Sequence, residues 1–232
     1  MLVKQWMAGD PILIDENTSI MKAIQLMKEH RIRRIPVVKQ NRIVGIVSDR
    51  DVKEAAPSKA TSLDVHELYY LLSEIKVKDI MTPNPITLRE NDSVERAAVI
   101  MLENRISGLP VINDNQQVVG MITQTDVFKT MISMSGVYRS PIQIACELEY
   151  HPGYLNQLLN IILANHDARV VSVLSSTEHV SAGRREVYIR IKNMPEDKLN
   201  LLVADLEKHF KVLYVHYDDF SNIPRKQPKD LD

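Results

Sequence analysis

The chain has 232 residues, of which 29 are Lys or Arg and 30 are Asp or Glu, so its formal net charge is −1. This balance gives no electrostatic reason to expect binding to nucleic acid or to an anionic membrane. The single cysteine, Cys146, excludes an intrachain disulfide and a cysteine-rich zinc site. The longest apolar run, Ala97–Leu102, is far too short to span a bilayer, so we expect a cytoplasmic protein.

Sequence motifs of common catalytic and phosphate-binding sites are absent. No two of the seven glycines stand close enough for GxGxxG or GxxxxGK, which excludes a dinucleotide fingerprint and a P-loop. The sequence also lacks HExxH and GxSxG, and its seven histidines are scattered singly. We therefore predict a binding or regulatory protein rather than an enzyme, with no required cofactor and no metal site.

The chain contains an internal repeat. The segment Val3–Met7 returns as Val77–Met81, an offset of 74 positions. One extra residue in the second copy then moves the offset to 75, so that Gly45 aligns with Gly120. Two copies of a small α/β unit are expected to pack on each other, because neither alone buries its apolar face.

Each copy predicts the element order β-α-β-β-α. A short extended run is followed by a polar cluster suited to capping a helix, and then by an apolar stripe at helical spacing. Two strands and a further helix complete each copy. In the first copy these elements are Ile12–Ile14, a helix with Ile20, Ala23, Ile24 and Met27 on one face, Ile35–Val38, Ile43–Val47 and a helix from Ser48; in the second they are Ile86–Leu88, a helix with Val94, Ala97, Ala98 and Met101 on one face, Leu109–Ile112, Val118–Ile122 and a helix from Thr123.

The segments that open the last helix of each copy share a motif. Both contain Gly, two apolar residues, Ser or Thr, two other residues and Asp, with Ser48 and Asp51 in the first copy and Thr123 and Asp126 in the second. One interpretation is structural, because Ser/Thr-x-x-Asp resembles a capping box that satisfies backbone N–H groups. The other is functional, because a helix N-terminus favours phosphate and a carboxylate there can accept hydrogen bonds from a ribose cis-diol. The two roles can coexist.

A repeat with this element order, an Ile/Leu-Pro-Val strand and the Gly-apolar-apolar-Ser/Thr-x-x-Asp motif resembles a pair of CBS domains over residues 1 to about 135. The resemblance implies a disc-like module with two clefts that bind adenine nucleotides or related adenosyl ligands. Asp51 and Asp126 would then bind the ribose, and Ser48 and Thr123 would face the phosphates. The residues that would line the adenine pockets are Pro11, Ile12, Arg34, Ile35, Pro36, Pro85, Ile86, Gly108, Leu109 and Pro110. A residue before proline is held extended, which leaves its backbone polar groups free to face a base edge.

The two implied clefts differ in charge. Arg33 and Arg34 of the first copy align with Ser107 and Gly108 of the second. Arginine suits phosphate recognition through its planar donor fork. Alternatively, such a charge run caps a helix C-terminus and is solvated. Our hypothesis is that the first cleft tolerates more phosphate charge than the second.

Two further segments lie outside the repeat. Residues 57–76 form an insert with a helix predicted over 64–75, which either covers an edge of the module or contacts another subunit. After a helix stop at Gly136, residues 140–220 predict the order β-α-β-β-α-β of a ferredoxin-like split unit. Residues 221–232, rich in Lys, Pro and Asp, predict a flexible tail.

The third segment resembles an ACT domain through its element order and the turn His151-Pro152-Gly153-Tyr154-Leu155. The resemblance implies either an amino-acid effector site near His151, Gly153 and Tyr154, or a domain that only mediates dimerisation. CBS copies at residues 1–56 and 77–136, an insert between them and an ACT-like domain together resemble the AcuB-type acetoin-utilisation proteins of Gram-positive bacteria. That resemblance implies a role in acetoin or acetate metabolism.

These observations predict a mixed α+β fold, with a tandem CBS pair followed by an ACT-like domain. They favour a non-catalytic homodimer that binds an adenine nucleotide as a regulatory ligand and controls a partner enzyme, with no nucleic-acid or membrane partner. A ligand can shift such a protein between two shapes only through different affinities for them. The alternative is a constitutive dimeric scaffold that acts through protein contacts without sensing a nucleotide.

Overall fold

The computed structural model describes residues 1–55 and 72–224. Most of the predicted insert, including its helix from residue 64 to residue 71, lies outside these residues, as does the end of the predicted tail from residue 225 onward. The end of that predicted helix, residues 72–74, is described and is helical. The chain divides into two compact units, Met1–Thr130 and Met131–Asp232. Among the described helices, none combines the length and apolar character that a membrane crossing requires.

The first unit contains both copies of the repeat, and each copy has the predicted order β-α-β-β-α. Short 3₁₀ helices at Val3–Gln5 and Val77–Asp79 precede the two copies. Each copy also has a lead strand that the pattern did not predict, and its first predicted strand begins two residues later than expected and is shorter. The elements are β1 (Ala8–Gly9), β2 (Ile14–Asp15), α1 (Ile20–Glu29), β3 (Arg34–Lys39), β4 (Arg42–Ser48), α2 (Asp49–Ala55), β5 (Thr82–Pro83), β6 (Leu88–Arg89), α3 (Val94–Glu103), β7 (Gly108–Ile112), β8 (Val118–Thr123) and α4 (Gln124–Ser135).

The lead segment of each copy pairs with the sheet of the other copy. Strand β5 adds to the first sheet in the order β2-β3-β4-β5, and β1 adds to the second in the order β1-β8-β7-β6. The Val77 N–H donates to the Thr18 carbonyl at 2.8 Å, and the Val3 N–H donates to the Asp92 carbonyl at 2.9 Å. The repeat therefore forms a reciprocal exchange, in which each copy needs the other to complete its sheet.

Each sheet packs against its helices around an apolar core that also holds a valine of the exchanged segment. Val77 is fully buried in the core of the first copy, and Val3 is fully buried in that of the second. Burial of an aliphatic side chain of this size stabilises the fold by roughly 1.5–3 kcal/mol. The exchange is therefore fixed by side-chain packing as well as by backbone hydrogen bonds.

The polar clusters before α1 and α3 cap these helices, as predicted. The Ser19 hydroxyl oxygen accepts a hydrogen bond from the Lys22 N–H at 3.3 Å, and the Ser93 oxygen accepts one from the Arg96 N–H at 3.0 Å. Each serine satisfies a backbone donor that has no partner within its helix. The predicted apolar stripes face the cores, with Ile20, Ala23, Met27, Val94, Ala97 and Met101 all buried.

The second unit has the predicted order β-α-β-β-α-β. Its elements are β9 (Ile142–Glu149), α5 (Tyr154–Asn160), a π-helical continuation at Ile161–Asn165, β10 (Val170–Ser176), β11 (Arg184–Ile191), α6 (Glu196–Glu207) and β12 (Lys211–Tyr217). All strand pairs are antiparallel, in the order β10-β11-β9-β12. Alternate residues such as Ile144, Cys146 and Ile189 are fully buried, so one face of the sheet packs against the helices.

Candidate functional site

The first strand-to-helix turn joins β4 to α2. Ser48 is the last residue of β4, and Asp51 lies in the first turn of α2. Oδ2 of Asp51 accepts hydrogen bonds from the Ser48 N–H at 2.7 Å and from the Ser48 hydroxyl at 2.8 Å, while the Asp51 N–H donates to Ser48 Oγ at 3.3 Å. This reciprocal pattern is a capping box, and it confirms the structural interpretation of the motif.

The second turn, between β8 and α4, repeats the two hydrogen bonds to the carboxylate. Oδ2 of Asp126 accepts hydrogen bonds from the Thr123 N–H at 2.9 Å and from the Thr123 hydroxyl at 2.6 Å. The ammonium of Lys129 lies 3.7 Å from Oδ1 of Asp126. The two copies thus hold a carboxylate in the same orientation at equivalent positions.

Capping uses only one oxygen of each carboxylate. Within the described ranges, no group donates a hydrogen bond to Oδ1 of Asp51, and Oδ1 of Asp126 has only the ion pair with Lys129. An ionised carboxylate has two oxygens and about four acceptor positions. Each aspartate therefore keeps the capacity to accept hydrogen bonds from a ligand while it caps its helix.

Arg34 and Gly108, which each stand two residues before a proline, lie directly beside these turns. In the β3–β4 ladder Arg34 is paired with Ser48, and in the β7–β8 ladder Gly108 is paired with Thr123. We call Arg34, Ser48 and Asp51 the first site, and Gly108, Thr123 and Asp126 the second site. The structure thus brings together, within each copy, the two parts of the motif that are separated in sequence.

The other residues expected to line the pockets divide between core and surface. The side chains of Ile35 and Leu109 are fully buried in the two cores, so these side chains pack in the fold and do not face a ligand. Ile12 packs against the first core, whereas Ile86 is 43% exposed. The prolines Pro36 and Pro110 are buried within β3 and β7, and Pro11 and Pro85 are half-buried between the lead strands and the next strands.

Arg34 extends from the first copy to the second. Its Nη2 donates a hydrogen bond to Oγ of Ser107, and a Cβ atom at Gly108 would lie 3.5 Å from its Cδ. Burial lowers the pKa of the Arg34 guanidinium, an effect that the neighbouring carboxylates of Asp49 and Asp51 oppose. Sequence alignment of the copies predicted the difference between Arg34 and Gly108, but not that the arginine fills the space beside the glycine.

The first site has more charged neighbours than the second. The charged residues that act electrostatically on Arg34 are Arg33, Asp49, Arg50 and Asp51. The positions that align with Arg33, Arg34, Asp49 and Arg50 are occupied by Ser107, Gly108, Gln124 and Thr125. The first site therefore carries more positive charge than the second, also when Asp51 and Asp126 are included in the comparison.

The third candidate region lies in the second unit, at the start of α5. Gly153 has φ +96° and precedes the helix, a conformation that favours glycine. The ring of His151 lies edge-on to that of Tyr154, with 6.1 Å between centroids. A hydrogen bond to Glu149 raises the pKa of Tyr154. The structure therefore places His151 and Tyr154 together beside Gly153, and within the described residues it contains no cluster of His, Cys, Asp or Glu that could hold a metal ion.

Comparisons with known proteins match the repeated part of the chain. The CBS domain family model matches residues 3–58 and 77–133. A CBS domain-containing protein of Dictyostelium discoideum is 31% identical over 134 residues, which cover 57% of this chain and 92% of that protein. An uncharacterized protein of Methanocaldococcus jannaschii is 32% identical over 127 residues, covering 52% of this chain and 45% of the relative. The chain thus spans less than half the length of this second relative.

Solved structures give similar coverage. The CBS domain pair of protein MJ0100, in complex with 5′-methylthioadenosine and S-adenosyl-L-methionine, has a TM-score of 0.48 at 30% identity and covers 57% of this chain and 97% of that chain. A structure named as an acetoin utilization protein (AcuB) from Vibrio cholerae has a TM-score of 0.49 at 24% identity, covering 60% of this chain and 96% of that chain. The two matched segments and the Dictyostelium relative, which this chain covers almost completely, show that the chain belongs to the family of CBS domain-containing proteins.

Proposed function

We propose that this chain is a non-catalytic regulatory protein that binds an adenine nucleotide or a related adenosyl ligand at its two sites and controls a partner enzyme. The observation that carries the proposal is the duplicated turn, in which a capping carboxylate keeps an oxygen available for further hydrogen bonds. A ribose presents two adjacent hydroxyl donors, which suit the acceptor capacity of Asp51 or Asp126. Family membership in the CBS domain proteins supports the same ligand class.

The capping bonds favour ligand binding because they fix each carboxylate in advance. The Asp51 side chain is held by two hydrogen bonds of 2.7 and 2.8 Å from Ser48, so a ligand pays little of the entropy needed to order it. At the first site, the half-buried Arg34 adds a cationic group for phosphate, because guanidinium forms strong, directional bonds with phosphate oxygens. The first site is therefore proposed to accept more phosphate charge than the second.

Regulation follows from the exchange of lead segments. The first site includes Ser48 of β4, a strand whose other edge pairs with β5 from the lead segment of the second copy. A ligand that binds better to one packing of the two copies would shift the protein toward that packing. We propose that the partner enzyme recognises this shift, and that the protein acts in acetoin or acetate metabolism as AcuB-type proteins do.

The second unit is proposed to be an ACT-like domain that joins two chains in a homodimer. Its support is the β-α-β-β-α-β order, the four-stranded antiparallel sheet and the glycine turn before α5. An amino-acid effector is proposed to bind beside Gly153, where the rings of His151 and Tyr154 lie edge-on to each other. A domain that only mediates dimerisation would use the same fold without this site.

A second candidate function is a constitutive scaffold without nucleotide sensing. The observation in its favour is that Ser48 and Asp51 already satisfy each other in a complete capping box, which requires no ligand. On this alternative the repeated motif is kept for helix stability alone, and the protein works through its surfaces.

Isothermal titration of the full chain with AMP, ADP, ATP and S-adenosylmethionine separates the two functions. The sensor predicts heat with at least one of the four ligands, and loss of that heat in a variant that carries both Asp51→Asn and Asp126→Asn. Asparagine keeps an acceptor for the cap but removes the negative charge and one carboxylate oxygen. Asp114→Asn, at a fully exposed side chain, is the matched control and is expected to bind normally. Absence of heat with all four ligands supports the scaffold.

A further inference from the structure

We propose that the single guanidinium of Arg34 serves both sites, so that two phosphate-bearing adenosyl ligands compete for it and the first to bind weakens the second. This coupling rests on the proposed function, because it requires that both turns bind adenosyl ligands. The proposal goes beyond the properties of either single site, because a phosphate bound at one site changes the affinity of the other site for its ligand.

The backbone of Arg34 belongs to the first site. Its Cα is paired with that of Ser48 in the β3–β4 ladder, and the hydroxyl of Ser48 donates to Asp51. The carboxylates of Asp49 and Asp51 act on its guanidinium electrostatically. A phosphate at the first site would therefore find Arg34 within the same group of charges.

The end of the Arg34 side chain belongs to the second site. Its Nη2 donates to Oγ of Ser107, and its Cδ and Nη1 lie 3.5 and 3.6 Å from where a Cβ of Gly108 would be. Gly108 is in turn paired with Thr123, whose N–H and hydroxyl donate to Asp126. The guanidinium therefore lies beside the second site, at contact distance from the point where a side chain at position 108 would begin.

The second copy offers no arginine in return. Gly108 aligns with Arg34 and Thr125 with Arg50, so the second copy has no cation at either position. One guanidinium forms a bidentate pair with one phosphate at a time. Two phosphate-bearing ligands must then compete for the Arg34 guanidinium, whereas a ligand without phosphate does not bind it. Couplings of this kind between sites change affinity by about 5- to 150-fold.

Titrations of AMP and adenosine test the coupling. Asp51→Asn leaves the second site for measurement, and Asp126→Asn leaves the first. We expect Arg34→Ala to weaken AMP binding about tenfold in both single-site proteins, while adenosine binds as before. In the protein with both sites intact, the second AMP should bind at least about fivefold more weakly than it binds to the corresponding single-site protein. Arg34→Ala should remove this difference.

Two further variants separate the coupling from general effects of charge or folding. Arg96→Ala removes an exposed arginine that belongs to neither site and should leave both AMP affinities and their coupling unchanged. Ser107→Ala removes the acceptor that holds Arg34 toward the second copy, so AMP should bind the first site at least as tightly as before. Weaker AMP binding to the first site in Ser107→Ala would contradict the proposal even if Arg34→Ala does not fold.

The outcomes also separate this coupling from the proposed function. If AMP binds at both sites but Arg34→Ala weakens only one of them, or weakens adenosine as much as AMP, the shared guanidinium is wrong and the nucleotide sensor stands. If neither AMP nor adenosine binds the unmodified protein, the proposed function is overturned and the coupling with it.

Discussion

The side chain of Met81 lies directly over the backbone of Gly45, although the two residues belong to different copies of the repeat. A Cβ at position 45 would lie 2.9 Å from Cγ of Met81 and closer still to its Sδ. The same contact recurs between Met7 and Gly120, where a Cβ would lie 2.5 Å from Sδ. Neither glycine has positive φ, so the close approach of the exchanged methionine is what requires glycine at these positions.

We expect Gly45→Ala to lower the free energy of unfolding by about 1–3 kcal/mol, because the added methyl group forces Met81 out of its packing. Urea denaturation followed by circular dichroism measures the change. Gly9→Ala is the control, since a Cβ at position 9 has nothing within 4 Å. The double variant Gly45→Ala with Met81→Ala should lose less than the sum of its single changes. Equal stability of Gly45→Ala and Gly9→Ala would contradict the methionine contact.

The order of elements in each copy was predictable because it depends on local patterns. Ser19 and Ser93 precede apolar stripes with helical spacing, and both cap their helices in the structure. The exchange of lead segments was not predictable in this way, because Val3 and Val77 stand in nearly identical sequences and either could join either sheet. Both copies have a methionine in the lead segment (Met7 and Met81) and a glycine in the motif (Gly45 and Gly120). This recurrence was the one available signal of the contact between them.

Contacts that a side chain makes outside its own element could not be predicted from the sequence either. The destination of the Arg34 guanidinium depends on the packing of the two copies, and only the structure places it at Ser107. The first helix of the second unit changes from α to π at Ile161. Its apolar stripe is compatible with either form over so short a length, so spacing alone could not identify the change.

Cys146 is expected to be unreactive in the folded protein. Its side chain is fully buried, and this burial raises the pKa of the thiol to about 12. The thiolate is the reactive form, so both access and ionisation oppose modification at neutral pH. Reaction with a disulfide reagent at pH 8 should be slow in the native protein and fast in guanidinium chloride. Rapid reaction of the native protein would show that β9 is not buried as described.

The Asp205 carboxylate gives a pH dependence with a defined sign. Hydrogen bonds from His166 and Lys208 lower its pKa from the usual 3.8. A carboxylate with a lowered folded pKa stabilises the protein above its unfolded pKa, and this contribution is lost as the pH falls through the folded value. The stability lost in Asp205→Asn should therefore be largest above about pH 4 and should shrink below it. A loss that does not change between pH 6 and pH 2 would contradict this assignment.

The ion pair between Arg190 and Asp218 should stabilise the second unit. Arg190 is 4% exposed, and its Nη2 donates to Asp218 at 2.8 Å while Nη1 donates to the Ser140 carbonyl at 2.9 Å. Asp218→Asn leaves a buried charge without its counter-ion, which we expect to cost roughly 2 kcal/mol. Asp219→Asn, at an exposed residue that accepts a hydrogen bond from the nearby Ser221, should cost much less. Equal melting temperatures for the two variants would argue against the ion pair.

The most direct test of nucleotide sensing is a comparison of AMP with 2′-deoxy-AMP in calorimetric titrations of the full chain. If Asp51 and Asp126 accept both hydroxyls of a ribose, removal of one hydroxyl should weaken binding roughly 5- to 150-fold, because an acceptor is left unpaired. The variant with both aspartates changed to asparagine should lose this preference. Equal affinity of the unmodified protein for the two nucleotides would contradict recognition of the diol by the capping carboxylates.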